Sequence, residues 1–434
     1  MNAPVAELRV EAGRSPAPGA AESALWAQVR RQFPLTRDYV HFSQFFMVSH
    51  PRPVAQAIER HRRALDENPF LTVEHGMFGT DAANWPRKVY AAAARYLGGC
   101  EDQIALIPNT TTGLALVYHG LPLGPGDEVL TTSHEHFTHH EAIRLATARV
   151  RAGWRKFDLW EDSRRPSLSD MLARLRGAIR PETRVIGVSW VYSNTGLRLP
   201  VRAVTALVAE INRGRPEAER MRVVVDGTHG FGALDEAVAE MGCDYFVSST
   251  HKWLFAPRGT GVIWAPARAW ATLQPVIATY YTWDLRRAWA AGEPPTGASA
   301  PSHISPGGFL AYEHQWAMIE AFEFHARIGR DRVAARIHEL NGRLMDLLES
   351  IPGVRLLTPR DPAWSAGIVC FQVDGMAAAD VVRGLRERRV LASTSPYANP
   401  CARLSAGIMN TMEEVHAVAH ALREVAGANG DRGS

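Results

Sequence analysis

An aspartate and a lysine follow two short apolar runs near the middle of the chain, and their side chains could do chemistry together. Asp226 comes directly after the run 223–225, and Lys252 comes shortly after the run 245–247. Short runs of β-branched and aromatic residues that end in polar residues are typical of buried strands in a parallel sheet. Because ligands bind beyond the carboxyl ends of such strands, the sequence predicts that a carboxylate and an amine reach the same sheet edge.

Pyridoxal phosphate is the cofactor that this pair of side chains suits. A lysine amine can bond to the cofactor's aldehyde, and a carboxylate beside the ring nitrogen keeps that nitrogen protonated, so that the ring can take up electrons. We therefore predict Lys252 as the catalytic residue and Asp226 as the partner of the ring nitrogen. A lone aspartate after a strand is more often a cap or turn residue, so the prediction depends on both residues together with their flanking glycines.

A candidate phosphate site precedes this pair in the same alternation of strands and helices. Residues 103–264 alternate predicted strands with helices, which indicates a parallel sheet with right-handed crossovers. One turn, P-N-T-T-T-G at 108–113, lies between a strand and a helix. Free backbone N–H groups and the helix dipole favour an anion there, and the hydroxyls of Thr110 and Thr111 can add hydrogen bonds. Threonines also cap helices without any ligand.

A histidine-rich segment allows a second kind of chemistry. Residues 133–141 contain four histidines and two glutamates. Two histidines spaced four apart on a helix can bind zinc. The alternative function is therefore a zinc hydrolase built on His134, Glu135, His136 and His140.

Two motifs give the chain a family resemblance. D-G-T-H-G-F-G at 226–232, followed by S-S-T-H-K-W-L-F-A-P-R-G-T-G at 248–261, resembles the fold-type I pyridoxal-phosphate enzymes of the class V aminotransferase group, in particular its isopenicillin-N-epimerase-like members. The resemblance implies an α/β fold, with a mostly parallel seven-stranded sheet in a large domain (23–325) and a small α+β C-terminal domain (326–434). Residues 23–50 are expected to pack with the small domain. Residues 1–22, rich in Ala, Pro, Gly and Glu, are predicted to be a disordered tail.

The resemblance also implies roles for individual residues around the cofactor. His136 would stack on the pyridine ring, which leaves His139 and His140 on the helix surface. His229 would bond to the phenolic oxygen, a contact that either Ser193 or Asn194 could share. The full set of implied cofactor contacts is Asp226, His229, Thr110, Thr111, His136, Ser193, Asn194, Ser249 and His251; no metal belongs to this set.

On the substrate side, the resemblance points to the small domain. The segment 400–410 resembles the family's R-x-S motif, whose arginine binds the α-carboxylate of the substrate. A guanidinium matches a carboxylate with two parallel hydrogen bonds, and this assigns the role to Arg403. Gln44 and Tyr397 are further candidates for the pocket wall. Cys401 does not lie on the longer upstream loop that carries the persulfide in cysteine desulfurases, which disfavours desulfuration.

Two segments depart from the family pattern. S-Q-F-F-M-V at 43–48 places bulky apolar residues where relatives have small polar ones, and these either pack in the core or line the pocket. Residues 275–306 are predicted to be a long loop. At the end of this loop, H-I-S-P-G-G at 303–308 lacks the threonine with which relatives touch the neighbouring subunit's cofactor phosphate.

The predicted function is that of a pyridoxal-phosphate enzyme acting at the α-carbon of an amino acid or amino-acid conjugate. An epimerase-like or C–S/β-lyase-like activity in secondary metabolism is favoured. The competing hypotheses are a class V aminotransferase, an oxidative or decarboxylating enzyme, and a non-catalytic protein of the same fold. A homodimer is expected from the resemblance alone.

Composition excludes several classes of partner. The 48 basic and 45 acidic residues leave a net charge of +3, and no basic block indicates nucleic acid or a membrane surface. No apolar run reaches membrane-spanning length, and the first ten residues lack the apolar stretch that is typical of a signal peptide, so none is expected. Its four cysteines form no C-x-x-C pair. We expect a cytoplasmic enzyme whose partner is a small amino-acid substrate.

Overall fold

The computed structural model describes residues 18–80, 84–280, 282–297 and 299–430. Of the predicted tail, residues 1–17 lie outside these ranges, and the first helix begins at Pro18, before the tail's predicted end. The helices are α1 Pro18–Arg31, α2 Arg52–Glu67, α3 Pro69–Phe78, α4 Trp85–Leu97, α5 Thr110–Gly120, α6 Phe137–Val150, α7 Leu168–Ala178, α8 Val201–Asn212, α9 Ala267–Trp270, α10 Trp283–Ala290, α11 Pro301–Ile304, α12 Tyr312–Trp316, α13 Met318–Ile328, α14 Arg330–Glu349, α15 Ala378–Glu387 and α16 Met412–Gly430.

Thirteen strands complete the described part of the chain. They are β1 Val40–His41, β2 Ile104–Ile107, β3 Glu128–Thr132, β4 Gly153–Phe157, β5 Thr183–Ser189, β6 Arg222–Asp226, β7 Tyr245–Ser249, β8 Gly261–Trp264, β9 Val354–Leu356, β10 Val369–Val373, β11 Val390–Leu391, β12 Ser393–Thr394 and β13 Ala402–Leu404.

The larger sheet confirms the predicted mostly parallel architecture. Its seven strands lie in the order β2-β8-β7-β6-β5-β3-β4, and only β8 runs antiparallel to its neighbours. Val223 and Val225 of β6 point into one apolar cluster and Val224 into another on the opposite face. Both faces of the sheet are therefore covered, which explains why its strands are continuous apolar runs.

The register of the central strands brings the two key residues to one edge. Asp226, the last residue of β6, is opposite Val247 of β7. The chain then leaves β7 at Ser249, and Lys252 follows in the loop between β7 and β8. Asp226 and Lys252 thus both lie at the carboxyl edge of the sheet, as the sequence predicts.

A second, antiparallel sheet forms the C-terminal unit, with strand order β12-β13-β10-β9. The N-terminal segment joins this unit, because β1 pairs with β11 and Ser43 forms a bridge to Ser405. The predicted boundary between residues 325 and 326 falls inside α13. Phe322 of α13 packs in a core cluster of the large sheet and Leu340 of α14 in that of the small one, so we propose the boundary at Gly329.

The segment 275–306 is not the structureless loop that the sequence predicts. It contains α10 and α11 within its described residues. Both helices are short, and helices of this length depend on tertiary contacts, which local periodicity does not reveal. In the part of the chain that the structure describes, none of the helices combines the length and apolar character that crossing a bilayer requires.

Gly187 in β5 provides a test of how closely α5 and α6 pack on the sheet. A Cβ at this position would overlap the Tyr118 hydroxyl and lie 3.1 Å from His139 Nε2. We expect Gly187→Ala to destabilise the protein by about 1–3 kcal/mol through overpacking. Adding Tyr118→Phe removes the overlapping oxygen, so the double variant should be less destabilised than the sum of the single changes. Urea unfolding at unchanged m-value measures this.

The matched control for this experiment is Gly177→Ala in α7, where an added Cβ meets nothing within 4 Å. This change should stabilise the protein slightly, since alanine is the better helix former by about 1 kcal/mol. Additive effects of the Gly187 and Tyr118 changes would contradict the packing described here.

Candidate functional site

Lys252 and Asp226 form the centre of the candidate site. Asp226 is buried, and its Oδ1 accepts a hydrogen bond from the backbone N–H of Thr228 at 2.9 Å. Burial lowers the pKa of Lys252 to about 8, while the charge of Asp226 raises it in part and that of Arg403 lowers it further. The lysine amine therefore lies within electrostatic range of both a carboxylate and a guanidinium.

His229 and Gln44 lie against Lys252. His229 Nε2 is 3.5 Å from Lys252 Nζ. Burial holds the pKa of His229 well below its ordinary value, and the charges of Lys252 and Arg403 lower it further, so the imidazole is neutral. Gln44 donates its side-chain amide to the Lys252 carbonyl at 3.2 Å. Gln44, predicted to contact substrate, thus also holds the backbone of the lysine loop.

The candidate phosphate turn is joined to β7 by a compact hydroxyl network. Asn109 caps α5 by accepting from the Thr112 N–H at 2.9 Å. The Thr110 hydroxyl lies 2.6 Å from Thr228 Oγ1 and accepts from the Ser249 N–H at 2.7 Å. The Thr110 N–H in turn donates to Ser249 Oγ at 2.8 Å. The hydroxyls of Thr110 and Ser249 are therefore occupied with each other, whereas Thr111 is exposed at the start of the helix.

His136 lies at the start of α6, over the site. Its Nδ1 accepts from the Thr138 N–H at 3.3 Å and caps the helix. Burial lowers the pKa of His136; the charge of Asp226 opposes this, and the charges of Lys252 and Arg403 add to it. The ring also meets Tyr397 edge to face, with centroids 6.0 Å apart. The residue is thus positioned among the groups that the sequence predicted it to join.

The other side chains of the histidine-rich segment do not converge on a metal position. His134 stacks on Trp160 with ring centroids 3.7 Å apart, and His140 Nε2 lies 2.8 Å from the Thr132 carbonyl. Among the described residues, no three His, Cys, Asp or Glu side chains are grouped as metal ligands. The prediction that His139 lies on the helix surface is wrong, because this residue is fully buried.

Ser193 and Asn194 lie where the loop after β5 meets the small domain. The Ser193 hydroxyl is 2.8 Å from the Tyr397 hydroxyl, and the Ser193 carbonyl accepts from Arg403 Nη1 at 3.1 Å. The buried Asn194 Oδ1 has no partner in the described part of the chain. Ser193 therefore connects two substrate-side candidates, while Asn194 keeps an unpaired polar atom.

Arg403 is buried, and its Nη2 amino group uses both of its N–H donors within the protein. Its Nη2 donates to Ser393 Oγ and to the Thr394 carbonyl, each at 3.0 Å. The ring of Phe45 covers the guanidinium at 4.5 Å from its centroid. Of the departing segment 43–48, only Phe46 and Met47 are exposed among its bulky residues, at 66% and 55%. Phe45 thus packs in the core and against the arginine at once.

The segment 303–308 is anchored within its own chain. Ser305 is buried, and its hydroxyl accepts from the backbone N–H of Leu106 in β2 at 3.0 Å. His303 Nε2 lies 2.8 Å from Asp284 Oδ2. The position where relatives carry a threonine is thus held against the large sheet and α10.

Several buried polar atoms around Lys252 lack protein partners, and they test whether the site fits a small polar cofactor. They are His229 Nδ1, His251 Nδ1, Asn194 Oδ1 and Arg403 Nε, none of which has a hydrogen-bond partner among the residues described. Burying unpaired polar atoms is costly. The aromatic nitrogen, phenolic oxygen and phosphate of pyridoxal phosphate, together with the carboxylate of a bound amino acid, supply matching groups, so the residues present fit this cofactor with its substrate.

The sequence did not identify Thr228 as a member of the site, and it left open whether Phe45 packs in the core or lines the pocket. Thr228 lies between two recognised residues, Asp226 and His229, so its position in the motif was an available signal. The contact of Phe45 with Arg403 joins residues more than 350 positions apart in the chain, and no local pattern could have indicated it.

Comparison with known proteins assigns this arrangement a family. The model of the class V aminotransferases matches residues 50–418. The chain is similar to isopenicillin N epimerase of Streptomyces clavuligerus, with 33% identity over 350 residues that cover 77% of this chain and 83% of the relative. It is also similar to isopenicillin N epimerase of Amycolatopsis lactamdurans, with 26% identity over 427 residues, 92% of this chain and 98% of the relative.

A solved structure shares the fold. The cystine C–S lyase C-DES, in complex with its reaction product cysteine persulfide, superimposes with a TM-score of 0.77 at 24% identity, covering 91% of this chain and 99% of that one.

Proposed function

This chain belongs to the class V aminotransferase family of pyridoxal-phosphate-dependent enzymes, and we propose that it removes the α-proton of an amino acid or amino-acid conjugate. The observation that carries the proposal is the position of the Lys252 amine, 3.5 Å from His229 Nε2, at the sheet edge where β6 ends in Asp226. The chain has three lysines. The other two, Lys88 and Lys156, lie over Trp85 and Trp154 on α4 and β4, away from the site residues.

Five of the predicted residues have a proposed task at the cofactor. Lys252 would bond to the aldehyde, Asp226 would hold the ring nitrogen, and His136 would cover the ring. The amino end of α5 with Thr111 would hold the phosphate, because helix N-termini favour anions, and His251 would contact the same group. When bound, the cofactor withdraws electrons from the α-carbon and makes its C–H bond acidic.

Lys252 is the proposed general base. A base works best when its pKa lies near the working pH. Burial brings the amine from the ordinary value of a lysine to about 8, so Nζ can accept the α-proton and return it near neutral pH. The neutral His229 beside it can share a hydrogen bond without competing for the proton.

The rate at which cofactor-free protein takes up pyridoxal phosphate should report this lowered pKa. Only the unprotonated amine attacks the aldehyde. With a pKa of about 8, the rate should rise with pH through 8 and level off above it, and not continue to rise towards 10. Stopped-flow absorbance of the bound cofactor measures the profile.

Two variants control this measurement. Asp226→Asn removes a charge that raises the pKa of Lys252, and Arg403→Gln removes one that lowers it. The profile should therefore move to lower pH in the first variant and to higher pH in the second. Identical profiles in all three proteins would contradict the proposed proximity of these groups.

Arg403 is proposed to bind the α-carboxylate, in a manner that the structure modifies. Two of its groups already donate to protein acceptors, and Nε alone has no partner among the described residues. A carboxylate would bond to Nε–H and compete with the Ser393 hydroxyl for Nη2. The two-hydrogen-bond fork expected from the sequence thus requires the release of Ser393.

The fate of the carbanion is the finer part of the proposal. The 33% identity to an isopenicillin N epimerase supports return of a proton to the other face of Cα. The likeness to a C–S lyase at the level of fold supports expulsion of a β-substituent as the second outcome. The paired hydroxyls of Ser193 and Tyr397 near Arg403 are consistent with a pocket that can supply a proton from the small-domain side.

Incubation of the holoenzyme with D- and L-amino acids and S-conjugates in deuterated water tests the proposal. Deuterium at Cα with inversion indicates an epimerase, a keto acid with loss of the β-substituent a lyase, and pyridoxamine phosphate an aminotransferase. Absence of deuterium at Cα, of keto acid and of pyridoxamine phosphate throughout such a panel, while the bound cofactor absorbs normally, would contradict α-proton removal.

We also propose a homodimer. Phe46, Met47 and Phe309 are exposed apolar side chains on segments that flank the site. Exposed apolar clusters of this kind often mark protein interfaces, and light scattering of the holoenzyme would give the molecular mass.

A further inference from the structure

Three buried side chains behind the site form a continuous polar network. The Tyr118 hydroxyl lies 2.7 Å from His139 Nε2. His139 Nδ1 lies 3.2 Å from Glu135 Oε2, an ion-pair distance with an angle too poor for a good hydrogen bond. All three side chains are 1% exposed or less. A carboxylate and an imidazole are thus buried together, and neither belongs to the set that holds cofactor or substrate.

Glu135 is held in place by three hydrogen-bond donors and by the facing imidazole of His139. Its Oε1 accepts from the Thr132 hydroxyl at 2.7 Å and from the Ser189 N–H at 3.2 Å. Its Oε2 accepts from the Ser189 hydroxyl and faces His139. Burial alone would raise the pKa of Glu135, but His139, Ser189 and Thr132 together hold it below its ordinary value. Glu135 is therefore a buried negative charge at neutral pH.

The network joins the elements that carry the cofactor residues. Tyr118 belongs to α5, which begins at the phosphate turn, and Glu135 directly precedes His136. Ser189 of β5 is paired directly with Asp226 of β6. Room for the Tyr118 hydroxyl exists because β5 has a glycine at 187. Replacement of Glu135 would therefore affect the position of His136, its neighbour in the chain, and that of β6, which carries Asp226.

Glu135 also lies within electrostatic range of the same groups as Asp226. Burial raises the pKa of Tyr118, and the charges of Glu135 and Asp226 raise it further. The pKa of Tyr397, on the other side of the site, is raised by burial, with both carboxylates contributing. The geometry links the two carboxylates, because Ser189 binds Glu135 through its N–H and hydroxyl and is paired with Asp226.

We propose that Glu135, held by His139 and Tyr118, is a positioning residue of the cofactor site whose buried charge acts through Asp226 to keep the proton on the ring nitrogen of pyridoxal phosphate. The inference rests on the proposed function, since it requires Asp226 at that nitrogen. A second negative charge behind Asp226 makes loss of the ring proton more costly. The network thereby sustains the electron-withdrawing form of the cofactor at higher pH.

Other titratable groups also act on this charge pair. Those that face Glu135 or Asp226 from the surrounding elements are Tyr118 on α5, His139 and His140 on α6, His134 and His136 before α6, Tyr192 after β5, Lys252 after β7, and Tyr397 and Arg403 in the small domain. Glu135 and Asp226 are the two carboxylates that these groups face. Removal of Glu135 therefore takes away one of two negative charges.

Nitrogen-15 NMR of holoenzyme prepared with ring-labelled pyridoxal phosphate tests the inference. The chemical shift of the ring nitrogen reports whether it carries a proton. In Glu135→Gln the pH at which the proton is lost should fall by about one unit relative to the wild type. Tyr118→Phe removes a hydroxyl from the same buried network and leaves Glu135 with His139, Ser189 and Thr132, so its midpoint should not fall. If Glu135 had only a structural role, both variants would be less stable than the wild type, but the pH midpoints for loss of the ring proton would not differ between them.

The outcomes separate this inference from the function on which it rests. A ring nitrogen that carries its proton to the same pH in wild type and Glu135→Gln overturns the role of Glu135 alone. A ring nitrogen without a proton in the wild type at every pH overturns the placement of Asp226. If Glu135→Gln does not fold, Glu135→Met removes the same charge with a side chain of similar size and gives the same comparison.

Discussion

Replacement of Lys252 by alanine is expected to abolish the visible absorbance of bound pyridoxal phosphate and to lower α-proton exchange by at least about 10³-fold, since a positioned general base contributes roughly 10²–10⁴-fold and the covalent link to the cofactor is lost as well. Lys252 is the amine that Asp226 and Arg403 both act on. Absorbance spectra and deuterium incorporation at Cα measure the two losses.

The chain offers matched controls for this prediction. Lys88 and Lys156 each lie over a tryptophan ring, on α4 and β4. Their replacement by alanine should leave both the absorbance and the exchange unchanged. A Lys252→Ala protein that still exchanged the α-proton at the wild-type rate would require a different base.

Replacement of Arg403 by glutamine is the second change with a large expected effect. A hydrogen bond to a charged group contributes about 1.5–3 kcal/mol, which corresponds to a KM raised roughly 10- to 150-fold. The kcat should fall less, because the carboxylate is bound in ground state and transition state alike. Steady-state kinetics with the substrate found in the deuterium panel provide both constants.

Two further variants make the Arg403 result specific. Arg403→Lys should not restore binding, because an ammonium cannot form the guanidinium fork. Ser393→Ala removes a hydroxyl that accepts from Nη2 at 3.0 Å, so it should leave KM nearly unchanged or lower it. An unchanged KM in Arg403→Gln would mean that this arginine only holds the Ser193 loop.

The central strands of the large sheet could be predicted because each is an apolar run that is visible in the local sequence. Val223 to Val225 are buried on both faces, so β6 is apolar without interruption, and its last residue meets the sheet edge by geometry alone. Lys252 follows β7 for the same reason. The position of these two residues depends on local patterns and on the general rule for parallel sheets, and both were available in the sequence.

The network behind the site could not be predicted for the opposite reason. His139 belongs to a polar segment that resembles an exposed helix start, yet it is fully buried. Its burial depends on the Tyr118 hydroxyl, 21 positions away, and on the space left by Gly187 in a strand. The engagement of Arg403 by Ser193, Ser393 and Thr394 is likewise a product of domain packing, and it alters the two-hydrogen-bond contact that the motif alone predicts.

Reduction of the holoenzyme with borohydride, followed by tryptic mass mapping, tests the central claim most directly. Reduction makes the bond between the amine and the cofactor permanent, and a modified lysine resists trypsin. Residues 223–258 contain no internal lysine or arginine other than Lys252. We expect the phosphopyridoxyl group on an uncleaved 223–258 peptide that carries both Asp226 and Lys252. Label on Lys88 or Lys156, with 223–252 recovered unmodified, would contradict it.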